Sequence, residues 1–315
     1  MTPSIRRMLV PLDGSRLAEA VLPVALAIAA PCGATVTLIH VIEHNAPDTV
    51  HGEPHLDDVE EAAGYLEAIA KRFEDSGVTI ETHVHPNPEH DVAKSVAEHA
   101  AELDSDLIVL ATHGSGGLRR LLFGRIAQQV LRQTTTPILL MRPTEATEAA
   151  GFRCDVMLVP LDGTPDAEVA LPMAGMLAER TGAALRLVRV VPTVGTVSGE
   201  ASPAATFSPT ATAALLDIEQ QAARDYLAEV RRRDLPAGLR VTLEVRRGDV
   251  ATELAKSVAE EGSDLVVMST HGRSGLAGIL TGSVASRFLS RIAVPLLLIR
   301  IDGGSANDAP GGATG

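Results

Sequence analysis

The sequence contains no Trp, two Tyr and five Phe. Its interior must therefore be filled by aliphatic side chains, the usual content of buried parallel strands with helices packed on them. Lysine is nearly missing as well, with only Lys71, Lys94 and Lys256 in the chain and none of them in a glycine-rich turn. A Walker-type phosphate loop needs a Lys directly after Gly, so that class is excluded. The two cysteines, Cys32 and Cys154, make neither a C-x-x-C pair nor a disulfide framework, and a reducing compartment is expected. The most apolar stretch, Val21 to Ala30, is too short to cross a bilayer and contains Pro23. No signal-peptide core precedes Asp13, which makes the cytoplasm the expected location.

Basic charge is scarce too. Lys and Arg total 27 against 40 Asp and Glu, a net charge of −13. The deficit is concentrated in residues 1–150, with 11 basic against 21 acidic residues, compared with 16 against 19 in the remainder. An acidic surface argues against nucleic acid or an anionic membrane as partner.

What is present is a duplication. Met8-Leu-Val-Pro-Leu-Asp-Gly-Ser15 returns as Met157-Leu-Val-Pro-Leu-Asp-Gly-Thr164, identical at 7 of 8 positions with an offset of 149. Asp106 to Arg142 matches Asp264 to Arg300 at 16 of 37 positions, now with an offset of 158. The extra residues of the second copy fit the Ser/Thr/Ala/Pro/Gly-rich stretch Pro192 to Ala214, which reads as a long loop; Glu43 to His55 is its shorter counterpart. The boundaries that follow are domain 1 at 1–145, a linker at 146–151, domain 2 at 152–302 and a disordered tail at 303–315.

Within each copy, apolar runs alternate with helical periodicity. In the first, the strands are Ile5 to Leu12, Thr35 to Val41, Val78 to His85, Leu107 to Ala111 and Ile138 to Met141. Between them, Val59, Ala63, Leu66, Ile69 and Phe73 share a helical face, as do Leu216, Ala223, Leu227 and Val230 in the second copy. Uninterrupted apolar strands joined by helices mean a parallel sheet covered on both faces. The expected fold class is α/β, with two tandem doubly wound five-stranded domains of Rossmann-like type. Ligands are then expected beyond the carboxyl ends of the strands, at the switch point.

The fourth strand of each copy empties into a glycine-containing turn. The first copy reads Ala111-Thr-His113-Gly114-Ser115-Gly-Gly117 and reaches Gly124-Arg125; the second reads Ser269-Thr-His271-Gly272-Arg273-Ser274-Gly275 and reaches Gly282-Ser283-Val284. Such a turn aims backbone N–H groups and a helix N-terminus at one point, a physical recipe for an anion site. Asp13 and Asp162 each follow the first strand, where a carboxylate bonds ribose hydroxyls or helps hold Mg²⁺, or else closes its own Asx-turn and caps a helix. His113 and His271 either approach a phosphate or are satisfied by local backbone bonds, and Arg273 is either a phosphate ligand or a solvated charge.

The pattern resembles the G-x2-G-x9-G-[ST] motif of universal stress proteins that bind ATP, and the resemblance runs through both halves. Gly272 and Gly282-Ser283 match it with Ser269 in place of the first glycine; Gly114 and Gly124 match it with Ala111 and Arg125 as departures. The resemblance implies an adenine nucleotide (ATP, ADP or AMP, with or without Mg²⁺) in contact with Pro160, Leu161, Asp162, Val190 and the Ser269–Val284 motif residues, the second copy being the better site. In the first copy it implies Pro11, Leu12, Asp13, Val41, Ala111, His113, Gly114, Ser115, Gly117, Gly124 and Arg125, with backbone contacts to adenine near Val41 and Val190. It also implies pairing through the fifth strands, Ile138 to Met141 against Leu296 to Ile299, an internal pseudo-dimer that leaves further homodimerisation open.

The histidines His44, His51, His55, His83, His85 and His90 follow no zinc spacing and read as solvated loop residues. Arg231-Arg-Arg233 reads as a helix-end charge cluster. No G-x-S-x-G elbow occurs. Three functions stay open on these grounds: a regulatory nucleotide-binding protein without catalytic residues, a slow Mg²⁺-dependent ATPase or phosphotransferase, and an interaction scaffold independent of nucleotide.

Overall fold

The computed structural model describes residues 3–112, 125–143, 151–191, 193, 209–271 and 283–301. In the first half these form strands β1 (Arg7–Pro11), β2 (Thr35–Glu43), β3 (Ile80–Glu89), β4 (Leu107–Ala111) and β5 (Ile138–Met141). The helices between them are α1 (Leu22–Cys32), α2 (Val59–Arg72), α3 (Val92–Glu102) and α4 (Arg125–Gln133). The second half repeats the order with β6 (Val156–Pro160), α5 (Leu171–Thr181), β7 (Ala184–Val191), α6 (Pro209–Asp234), β8 (Val241–Arg247), α7 (Val250–Glu260), β9 (Leu265–His271), α8 (Ser283–Leu289) and β10 (Leu296–Ile301).

All ten strands belong to one sheet in the order β8-β7-β6-β9-β10-β5-β4-β1-β2-β3. Within each half the five strands of this sheet pair only in parallel, so each half is a doubly wound unit whose order reverses between its first and fourth strands. The halves meet where β5 pairs antiparallel with β10, in the register Ile138↔Leu298, Leu139↔Leu297 and Leu140↔Leu296. An apolar fifth strand left at an edge would template foreign pairing, and here each fifth strand covers the other.

Two apolar layers sandwich the sheet, and both cross the seam. One contains Met8, Val10, Leu139 and Leu297 with α1 and α5; the other contains Leu9, Ile108, Leu140 and Leu298 with Val96, Val130 and Phe288 from the opposite helices. The central strands are apolar on both faces because both faces are covered. Two tethers of identical design, one in each half, pin the strand starts: Asp106 accepts from the Arg6 and Arg7 amides at 2.7 and 3.1 Å, and Asp264 from those of Asp155 and Val156, both at 2.9 Å.

Some local expectations require correction. On α2 the buried face is Ala62, Leu66 and Ile69, while Val59 is exposed because it is the first residue after the N-cap Asp58. The stretch read as loop to Ala214 is helix from Pro209 onward, since Pro at a first turn and the alanines that follow suit a helix start. Glu43 ends β2, and Thr49–Val50 pairs with Glu53–Pro54 in a small ladder within the shorter connection. The linker 146–150, the tail 303–315 and most of the long connection, 194–208, lie outside the described residues. Among the described residues no helix is long and apolar enough to cross a membrane.

Candidate functional site

β6 ends at Pro160, and the Leu161 amide donates to the Val188 carbonyl at 2.8 Å, which aligns the next residues with the end of β7. Asp162-Gly163-Thr164 then turns sharply. Gly163 has φ +92°, a conformation that side chains with a Cβ rarely adopt. Asp162 Oδ1 accepts from the Thr164 amide at 2.9 Å and from its hydroxyl at 2.6 Å. The Thr164 hydroxyl oxygen in turn accepts from Ala167 N at 3.3 Å, capping a one-turn helix. The first half repeats this with Asp13, Gly14 at φ +88° and Ser15, where Asp13 Oδ1 accepts from Ser15 N at 3.0 Å and Oγ at 2.6 Å. Each aspartate thus spends one oxygen on its own turn. The local reading of these residues, an Asx-turn that leads into a capped helix, is the one seen here.

Above this turn in the second half lies a cavity of about 620 Å³, within the usual range for small-ligand sites. It sits beyond the carboxyl ends of β6, β7 and β9, at the point where strand order reverses. Val188, Val190, Met268, Leu254 and Phe288 line it with apolar surface, and Asp162, Thr164, Arg189, Glu219 and Ser269 supply polar groups. α6 closes it through Glu219 and Ala222, and α8 through Val284 and Phe288.

Of the residues expected from sequence in this half, Pro160, Leu161, Asp162, Val190, Ser269 and Val284 line the cavity together. His271 is the last residue of β9 and Ser283 the first of α8. Gly272, Arg273, Ser274, Gly275 and Gly282 lie outside the described residues. Sequence reasoning missed Arg189, Glu219, Met268 and Phe288. Arg189 did carry a signal, being with Arg186 one of two charged residues in a run that is otherwise apolar. Its guanidinium stacks on the Tyr226 ring at 4.8 Å and passes 2.9 Å from where a Cβ on Gly163 would sit.

The first half is arranged differently. Pro11 ends β1, Leu12 and Val41 are buried, Ala111 ends β4 and Arg125 is the exposed first residue of α4. His113, Gly114, Ser115, Gly117 and Gly124 lie outside the described residues. Here the connection after β2 folds over the Asp13 turn. Leu56 packs against Gly14, 3.0 Å from where its Cβ would be, and Glu53 accepts from the Arg16 amide at 2.7 Å. His40, structurally matched to Arg189, is buried, with Nδ1 2.7 Å from the Leu12 carbonyl and Nε2 3.0 Å from that of Leu56. His51 Nε2 lies 3.7 Å from Asp13 Oδ2.

The family model for universal stress proteins matches residues 4–142 and again 154–300. The chain belongs to the universal stress protein family. A universal stress protein of Mycolicibacterium smegmatis is 27% identical over 307 residues, 93% of this chain and 96% of that one. Universal stress protein YxiE of Bacillus subtilis is 27% identical over 149 residues, 43% of this chain and 98% of its own, so one half of this chain corresponds to a whole single-unit member. In three dimensions, a universal stress protein from Archaeoglobus fulgidus superposes with a TM-score of 0.67 at 18% identity, covering 96% of this chain and 98% of that one. That likeness concerns the fold.

Among the described residues no group of three His, Cys, Asp or Glu side chains is placed to hold a metal ion. The histidines set aside as loop residues are not all on loops. His83 and His85 lie on β3, partly buried against His99 of α3. Arg233 at the end of α6 pairs with Glu168 and Asp234.

Proposed function

We propose that the second half binds an adenine nucleotide, ATP or its di- or monophosphate, in the cavity beside Asp162, and that the protein acts as a nucleotide-responsive member of its family. One observation carries this reading: six residues singled out by the resemblance to universal stress proteins line one cavity at the switch point of the sheet. The apolar lining of Val188, Val190, Met268 and Phe288 suits a purine face, and the free oxygen of Asp162 suits ribose hydroxyls. The glycines at 272, 275 and 282, which follow β9, supply amides that no side chain holds away from a phosphate. In the first half, Leu56 against Gly14 and Arg125 in place of a hydroxyl residue make a weaker site. The β5–β10 seam makes the chain an internal pseudo-dimer with one strong site.

The lining fits holding a nucleotide better than cleaving it. Arg189 is a fixed cation and Asp162 is engaged in its turn, and no Lys belongs to the lining. The test is thermal unfolding with and without ATP, in wild type and in Ala222→Trp, which fills the cavity from an exposed helix position. ATP at a hundredfold its Kd is expected to raise the wild-type Tm by about 5 °C or more and to leave Ala222→Trp unmoved. Absence of any shift, together with no nucleotide released from purified protein, rejects the reading. Phosphate release above background that disappears in Asp162→Ala would instead select the slow ATPase.

A further inference from the structure

The strand registers equate positions between the halves. β2 pairs Ile39 with His83 and Val41 with His85, and β7 pairs Val188 with Glu244 and Val190 with Arg246. On the covering helices, α3 and α7 have equal length behind the N-caps Asp91 and Asp249, which equates His99 with Ser257. Thr37 likewise corresponds to Arg186. The same place in the fold is therefore built twice with different chemistry.

In the second half it is a permanent ion network. Arg186 is buried, donates to the Ser257 carbonyl at 2.9 Å, to Ser263 Oγ at 3.1 Å and to Ser257 Oγ at 3.0 Å, and pairs with Glu244. Ser257 donates to Glu244 at 2.8 Å. Arg246 bridges Glu244 and Glu260. Arg stays charged throughout the physiological range, so this network joins the outer strand β8 to α7 regardless of mild acidity.

In the first half the place holds three imidazoles. The His83 and His99 rings have centroids 4.9 Å apart, and those of His85 and His99 are 5.0 Å apart. His99 is buried and its Nδ1 donates to the Ser95 carbonyl at 2.8 Å. His85 Nε2 lies 3.2 Å from Glu89, and His83 Nε2 is buried with no hydrogen-bond partner among the described residues. The charged and titratable groups facing His83 are His85 on its own strand and His99 and Glu102 on α3, while β2 presents Thr37, Ile39 and Val41 to this side. Two carboxylates, Glu102 on α3 and Glu89 beside His85, therefore stand against three imidazoles packed on one another.

We propose that His83, His85 and His99 form a pH-sensitive latch between the outer strand β3 and α3, closed when the imidazoles are neutral and released when they are protonated, while the equivalent strand of the second half stays fixed. Among the described residues β3 is the last strand of the sheet and pairs only with β2, so loosening it leaves the central strands intact. Burial, reinforced by His99 and His85 and opposed by Glu102, pulls the His83 imidazole below its usual range. An unfolded or detached His83 then binds a proton that the packed one refuses. The contact's full contribution is present above the ordinary histidine range and drains away as pH falls through it.

Hydrogen exchange of the full chain at pH 7.5 and 5.5, corrected for intrinsic exchange rates, tests this. Protection of residues 80–89 and 92–102 is expected to fall, by roughly tenfold or more, relative to residues 241–247 and 250–260. A His83→Gln/His99→Gln variant is expected to lose the difference. Equal behaviour of the two halves, or acid loosening that persists in the variant, overturns the latch. Should the variant fail to fold, histidine ring signals followed by NMR decide on wild type alone: titration midpoints of His83 and His99 that coincide with the loss of protection support the latch, and midpoints that do not coincide overturn it.

Discussion

Leu139 of β5 and Leu297 of β10 sit directly opposite each other across the only antiparallel pairing in the ten-stranded sheet, and both are fully buried. They belong to a single apolar layer that also contains Met8 and Met157, one from each half. The seam is thus a continuation of two cores rather than a surface contact. Leu297→Ala is expected to cost about 3 kcal/mol, the usual toll for a large-to-small change at a closed site. Leu243→Ala, on the outermost strand and over a third exposed, is expected to cost below about 1 kcal/mol. Urea unfolding of both variants measures the difference, and similar costs would contradict a shared core.

How much of this was legible depended on where each segment sits. β4 and β5 have the bounds expected from sequence, Leu107–Ala111 and Ile138–Met141, because strands covered on both faces are apolar without interruption. β3 was harder: expected at Val78 to His85, it runs from Ile80 through Pro86, Asn87 and Pro88 to Glu89, prolines being tolerated on an outer strand whose free side needs no ladder donor. Asp162 was visible because duplication drew attention to it, and Val190 and Ser269 because the resemblance to universal stress proteins implied them. Glu219 and Phe288 were not, since the cavity wall forms where α6 and α8 converge from separate stretches of chain, and no local window encodes that meeting.

Glu244 and Arg186 give a second test. Desolvation alone would raise the Glu244 carboxyl, but hydrogen bonds from Arg246 and Ser257 and the charges of Arg186 and Arg246 overturn this and hold it below its ordinary value. Its contribution is therefore complete above the usual carboxylate range and is lost only as pH falls below about 4. Glu244→Gln leaves the buried Arg186 uncompensated, and an expected cost of about 3–5 kcal/mol follows. Chemical denaturation at pH 7.5 and 5.5 should return the same cost at both, since both lie above the range in which the lowered Glu244 carboxyl takes up its proton.

Cys154 is free and buried, and burial together with Asp264 and Asp155 pushes its thiol up to about 12. Only the thiolate reacts with alkylating agents, so at pH 8 native Cys154 is expected to react roughly a thousandfold more slowly than an unperturbed cysteine. Adding urea to unfold the chain should restore ordinary reactivity. Mass spectrometry of iodoacetamide-treated protein reads both rates, and fast labelling of the native protein would place Cys154 outside the core.

The paired glycines Gly14 and Gly163 offer the sharpest comparison of the two halves. Both have φ near +90° (+88° and +92°), so an alanine at either strains the backbone by about 1 kcal/mol. What the new methyl group meets differs. At Gly163 it meets the Arg189 guanidinium at 2.9 Å, the far end of a long side chain that swings aside toward the cavity. At Gly14 it meets Leu56 Cγ and Cδ1 at 3.0 Å, part of a buried side chain wedged with Ile42 and Ala62. Gly163→Ala is therefore expected to cost about 1 kcal/mol of stability and to weaken ATP binding by displacing Arg189 into the cavity. Gly14→Ala is expected to cost about 2–3 kcal/mol, strain plus overpacking, with little effect on ATP binding. Denaturation and ATP titration of both variants check this, and a Gly14→Ala cost no greater than that of Gly163→Ala would show that Leu56 does not close the first half's turn.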